Sequence, residues 1–203
     1  MGGLTMVATE SPKRKSDRDL LWETWENLEL PPGSRAEILR GAIYLSPTPV
    51  PRHNRLYAKL SKQLITVTED LGWEIINTQT VLLPATDEAA IPDLLVVPDE
   101  AIDNAEEWRL PPDEVRLAAE ITSPSTRERD RSFKLDSYAK AGIPIYLVID
   151  PLESDGTVTV YHRPDRSGAY RLHQTVEFGT ELALPKPFGK LDTAEFKSRQ
   201  PKG

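Results

Sequence analysis

Ile91-Pro92-Asp93-Leu94-Leu95-Val96-Val97 places an aspartate at the mouth of an apolar run, and 27 residues on, Leu117-Ala118-Ala119-Glu120-Ile121-Thr122 encloses a glutamate in a second one. Short continuous apolar runs of this kind read as strands covered on both faces. Pro92 has no amide hydrogen to donate and suits the start of a strand. An ionised carboxylate inside Leu-Ala-Ala-Glu-Ile costs several kcal/mol, roughly, unless it is paired, hydrogen-bonded or bound to a cation. Two acids so placed on two strands form the pattern of a site for a hard cation, which takes oxygen ligands.

The residues that follow Glu120 extend the pattern. Thr126 to Ala141 reads as a helix closed by Gly142 and Pro144, and Ile145-Tyr146-Leu147-Val148-Ile149-Asp150 as a continuous apolar strand after it. Strand, helix, strand implies a parallel crossover. Asp130, Lys134 and Tyr138 recur every four residues and share one stripe of that helix. The short link Ser123-Pro124-Ser125-Thr126 lets Lys134 lean back over Glu120. Blander readings stand beside these: Asp93 capping a turn, Glu120 paired with a buried arginine, Lys134 in a solvated pair with Asp130, Tyr138 as a packing residue and His53 as a helix-start cap. Tyr138 and His53 stay outside the predicted catalytic set.

Upstream, Asp19 to about Leu30 predicts a short helix with Leu20, Leu21, Trp22 and Trp25 on its apolar side, stopped by Pro31-Pro32-Gly33. Ala36–Leu39 and Ala42–Leu45 flank Arg40-Gly41, a tight hairpin. Pro47 to Pro51 breaks the pattern. Leu56, Leu60, Leu64 and Val67 give helical spacing from His53 to about Leu71. Trp73–Ile76 and Thr80–Pro84 read as strands, and Thr157–His162 with Ala169–His173 as a late hairpin, followed by proline-punctuated coil. Residues 1–17 read as a tail and 18–203 as a single domain.

The chain has 203 residues, no cysteine and three histidines. Disulfides, zinc–thiolate sites and cysteine nucleophiles are excluded. With no stretch of about 18 apolar residues and no signal-peptide pattern, the expectation is a cytoplasmic protein with no membrane partner. A formal net charge of −7 argues against a non-specific polyanion binder. Basic residues are nevertheless uneven: Arg127, Arg129 and Arg131 precede Lys134 and form the best local phosphate clamp.

The run PDLLVV, followed by AAEITSPSTRERDRSFKLDSYAKAGIPIYLVIDP, resembles the Uma-two family of endonucleases, a branch of the PD-(D/E)xK superfamily. The resemblance covers most of the chain, including the Ala36–Gly41 hairpin, His53 and the segment from Pro185 to Leu191. It implies an α/β, restriction-endonuclease-like core, a mixed β-sheet flanked by α-helices. It also implies a site in which Asp93, Glu120 and the main-chain carbonyl of Ile121 hold Mg2+, with Mn2+ as a substitute. Lys134 would orient or deprotonate the attacking water, and Glu37 would be the acid from the N-terminal region. One departure stands out. The superfamily's lysine usually follows the glutamate by two residues, and that position here is Thr122, so the resemblance implies migration of the lysine to the helix.

The implied activity is Mg2+-dependent hydrolysis of DNA phosphodiester bonds, with double-strand cutting by one small domain calling for a homodimer. Two alternatives remain. One is a nuclease fold that has lost turnover and binds nucleic acid or protein. The other is a metal-dependent hydrolase of small phosphate esters, which suits an acidic surface better than long DNA.

Overall fold

The computed structural model describes residues 15–105 and 107–197, so most of the expected tail over residues 1–17 and the last residues of the chain lie outside it. Helix α1 (Asp17–Glu26) opens with a capping box between Ser16 and Asp19. It buries Trp25, whose indole N–H donates to Ala36 O at 2.9 Å, whereas Leu20, expected on the apolar side, is exposed. Strands β1 (Arg35–Leu39) and β2 (Ala42–Ser46) form the expected hairpin. Its two turn residues, Arg40 and Gly41, both have positive φ, as a two-residue hairpin with native twist requires. Helix α2 (Pro51–Glu69) begins two residues earlier than expected, because Pro51 suits the first helical turn, where its missing N–H is not needed.

Strands β3 (Trp73–Ile76), β4 (Thr80–Leu83), β5 (Glu88–Ala90) and β6 (Leu94–Pro98) follow, then a short helix α3 (Asp99–Asp103) and strands β7 (Arg109–Leu110) and β8 (Leu117–Ile121). The strand expected from Ile91 begins at Leu94, which leaves Asp93 in the bend that enters it. The helix expected over Thr126–Ala141 is not uniform. A π-helical turn, Arg129–Phe133, precedes α4 (Lys134–Lys140), and π turns occur often at functional sites. Strands β9 (Ile145–Asp150), β10 (Thr157–Pro164) and β11 (Tyr170–Glu177) come next. The segment read as coil after them contains a small hairpin of β12 (Glu181–Ala183) and β13 (Lys190–Asp192).

The strands form two larger sheets, ordered β2-β1-β5-β4-β7 and β11-β10-β9-β8-β6-β3. In the second, β6 and β8 run antiparallel with Leu94 opposite Ala119, and β8 and β9 run parallel with Glu120 opposite Val148. The π turn and α4 are the predicted crossover. Successive strand residues face opposite sides. Leu94, Val96, Leu117 and Ala119 pack with Leu56, Leu60 and Leu64 of α2, while Leu95, Val97, Ala118, Tyr146 and Val148 pack with Tyr138 of α4 and with Leu39 and Val81 of the first sheet. Glu120 shares the face of Ala118, so the alternation aims it at α4. Among the described residues no helix is long and apolar enough to cross a membrane.

Candidate active site

Asp93 sits where β6 begins, beside the end of β8. The backbone N–H of Ile121 donates to Asp93 Oδ2 at 2.9 Å, His53 Nε2 lies 2.9 Å from the same oxygen, and Arg35 donates to Oδ1 at 2.7 Å. A strand residue's N–H and C=O leave on the same side, so the Ile121 carbonyl lies on the Asp93 side of β8. Because an ionised Asp93 can only accept, Nε2 of His53 carries the hydrogen. Nδ1 is buried without a hydrogen-bond partner among the described residues.

The second half of the site is built around Lys134. Its ammonium lies 2.8 Å from Glu37 Oε1, 2.9 Å from Glu120 Oε1 and 3.7 Å from Asp130 Oδ1, with all four side chains buried. Tyr138 also donates to Glu120 Oε1, at 3.0 Å. Glu37 Oε1 accepts the Ile91 N–H at 2.7 Å, which ties the segment entering Asp93 to the lysine. Among the described residues neither carboxylate oxygen of Asp130 accepts a well-formed hydrogen bond, although the Thr126 hydroxyl lies close enough to help its charged form. The solvated Asp130–Lys134 pair is thus not what forms. The stripe Asp130, Lys134, Tyr138 points inward at Glu120.

Burial alone would raise the Asp93 pKa, but the His53 hydrogen bond and charge, Arg35 and the Ile121 N–H hold the carboxyl well below the usual carboxylate range. Glu120 moves the other way: burial raises it, Lys134 opposes the rise, and Asp93, Asp130 and Glu37 add to it. Asp130 is likewise pushed up, to about 6, chiefly by burial. Burial would lower Lys134, yet Glu120, Glu37 and Asp130 overrule it and keep the ammonium protonated. Tyr138 is raised by burial and by Glu120, so it stays a neutral donor.

Four carboxylates, Glu37, Asp93, Glu120 and Asp130, therefore surround two permanent cations, Arg35 and Lys134. With all four carboxylates ionised, the formal surplus is two negative charges. The oxygen-rich, sulfur-free donor set and this surplus fit a hard divalent cation. Among the described residues no three acid, histidine or cysteine side chains are arranged to hold a metal. The fit rests on the pair Asp93 and Glu120 with the Ile121 carbonyl, and Mg2+ characteristically uses one or two carboxylates and keeps waters.

These groups line a cleft of about 480 Å3, walled on its outer side by Pro47, Pro49, Val50, Pro124, Pro151 and Leu152. The three arginines of the expected clamp do not act as a set. Arg127 and Arg131 both reach Asp150, at 2.6 and 3.3 Å, and Glu153, at 3.2 and 2.5 Å. Arg129 turns to the other side, over the Tyr44 ring and 3.4 Å from the Ser46 hydroxyl. Residues two apart in sequence around a helix diverge, which separates Arg129 from its neighbours.

The family profile described as "Uma2: Putative restriction endonuclease" matches residues 22–194. The chain belongs to the Uma2 family. A solved relative of this Uma2 protein in fold is "a putative nuclease belonging to DUF820" from Anabaena variabilis ATCC 29413. It is 20% identical, the match covers 87% of this chain and 96% of that one, and the TM-score is 0.67, a likeness of fold. No curated protein matches the chain. Sequence reasoning left Arg35, His53, Asp130 and Tyr138 out of the site. Arg35 had a usable signal, since it stands two residues before Glu37 on one strand and so shares its face.

Proposed function

We propose that this Uma2 protein is a divalent-metal-dependent nuclease that hydrolyses phosphodiester bonds in DNA. The observation that carries the reading is that Asp93 and Glu120, at adjacent strands, line one cleft with a buried Lys134 that lies 2.9 Å from Glu120. Asp93, Glu120 and the Ile121 carbonyl would hold Mg2+ or Mn2+. Bound there, the ion would supply Lewis-acid polarisation of the phosphoryl group and acidify the attacking water.

The chain's own residues do the rest. Arg35 and the Ile121 N–H fix the orientation of Asp93. Lys134, enclosed by Glu37, Glu120 and Asp130, donates to the nucleophile or to a phosphoryl oxygen and offsets charge that develops in the transition state. Glu37 holds Lys134 in place and anchors the bend before Asp93. His53 Nε2 holds Asp93 Oδ2 from the α2 side.

A second reading, hydrolysis of a small phosphate ester, is favoured by one observation. Arg127 and Arg131 are already neutralised by Asp150 and Glu153, which leaves less free positive charge beside the cleft for a long polyanion. Nicking of supercoiled plasmid in Mg2+ or Mn2+, set against an aryl phosphodiester and an EDTA control, separates the two. Metal-dependent nicking supports the nuclease. Turnover of the ester alone supports the second reading, and no turnover of either supports a binding module.

A further inference from the structure

Strand β11 ends the six-stranded sheet, and no strand lies on its outer side among the described residues. It is eight residues long, Tyr170-Arg171-Leu172-His173-Gln174-Thr175-Val176-Glu177, and residues 171–175 are exposed. Free edges are templates for another strand, and proteins blunt them with short length, lysine, proline or bulges. The opposite edge, β3, follows that rule with four residues. β11 does not: it has neither lysine nor proline, and from Leu172 to Glu177 it pairs with β10 in one unbroken register.

The ladder determines which backbone groups face outward. Phe178 N–H donates to Gly156 O, so in this register Leu172, Gln174 and Val176 bond to β10, while His173, Thr175 and Glu177 turn their N–H groups away from it. The alternation breaks at Arg163, which has positive φ: Pro164 has no N–H, so its pairing with Tyr170 runs through the Asp165 N–H to Ala169 O and turns the Arg171 N–H toward β10. The Glu177 carbonyl already accepts the Thr180 N–H and the Thr193 hydroxyl.

The sequence around Gln174 is complementary to itself. When a second copy lies antiparallel with Gln174 opposite Gln174, His173 meets Thr175, Leu172 meets Val176 and Arg171 meets Glu177. His173 and Thr175 thus oppose each other with their outward N–H and C=O groups, as a hydrogen-bonded ladder requires, and the Arg171–Glu177 pair brings opposite charges together. Arg171 now contacts Asp165 at 3.1 Å, but its side chain is 71% exposed, so that pair is weak and exchangeable. We infer that β11 is a homodimer interface, in which two copies pair edge to edge about a two-fold axis through Gln174 and join their sheets into one. This interface stands independently of the nuclease reading, and its test does not depend on activity.

The test uses the absence of cysteine from the chain. At the axis, Gln174 forms a non-hydrogen-bonded pair with Cα atoms about 4.5 Å apart, within disulfide range. Gln174→Cys therefore forms a covalent dimer under mild oxidation. Leu172→Cys, which lies opposite Val176 and not itself, does not. In sedimentation runs, Arg171→Glu weakens the dimer roughly tenfold by placing like charges opposite each other, and adding Glu177→Arg to the same chain restores it. A monomeric wild type, equal cross-linking of the two cysteine variants, or a dimer indifferent to both charge changes overturns the inference.

Discussion

The ammonium of Lys134 lies 2.9 Å from Glu120 Oε1 with both side chains buried, and Glu37 and Asp130 close around the same nitrogen. A lysine so enclosed is at once a structural tie and the cation of the site. Lys134→Ala leaves three buried carboxylates without their counter-charge. It is expected to cost about 3–5 kcal/mol of unfolding free energy as well as cleavage. Urea denaturation checks the first effect and plasmid nicking the second. An unchanged urea midpoint contradicts the geometry around Lys134.

Asp130 makes the metal-free protein sensitive to pH. Its carboxyl is pushed up to about 6 in the folded chain against an ordinary 3.8, so between those values the folded state binds more protons than the unfolded one. Stability then falls as pH rises through that window. Glu120 is shifted in the same direction and Asp93 in the other, its contribution being lost in more acid solution. In EDTA, Asp130→Asn is expected to flatten the fall between about pH 4 and 6. Urea midpoints measured across that range for both proteins check it.

A cation that relieves the charge surplus stabilises by mass action, about 2.7 kcal/mol at a hundred times its Kd, or roughly 5–10 °C in Tm for a chain of this size. Thermal melts in Mn2+ and in EDTA are expected to differ by that amount for the wild type. Asp93→Asn is expected to lower the baseline, because Arg35 and His53 lose their partner charge, and to abolish the metal increment.

Arg127 and Arg131 already have acidic partners, whereas Arg129 has a hydroxyl and an aromatic face. Arg129→Ala is expected to reduce the salt slope of duplex binding by about one, measured in Ca2+ to suppress cleavage. Arg127→Ala/Arg131→Ala is expected to leave the slope close to that of the wild type. Equal effects of the two variants would mean that the Asp150 and Glu153 pairs open on binding.

Much of the central sheet was legible because its strands are continuous apolar runs: Leu117–Ile121 and Ile145–Asp150 announce burial on both faces, and the segment between them announces a crossover. Helix α2 was legible from Leu56, Leu60 and Leu64. The strands β5 and β7 were not, since three-residue and two-residue strands carry no periodicity and exist only through their partners. Glu37 and Glu120 meet at Lys134, and all three line one cleft with Asp93. Partners fixed by tertiary approach were illegible: nothing near His53 in sequence points to Asp93 40 residues away. The same holds for the acids that take up Arg127 and Arg131. Asp150 and Glu153 lie beyond a whole crossover, so the charge run read as a free clamp.

A divalent cation at Asp93 and Glu120 is tested most directly by anomalous scattering from a crystal soaked in Mn2+. The expected result is a single strong peak within bonding distance of carboxylate oxygens of both residues and of the Ile121 carbonyl, lost in Asp93→Asn. A peak elsewhere on the chain, or an Asp93–Glu120 pair that stays bare in millimolar Mn2+, would contradict it.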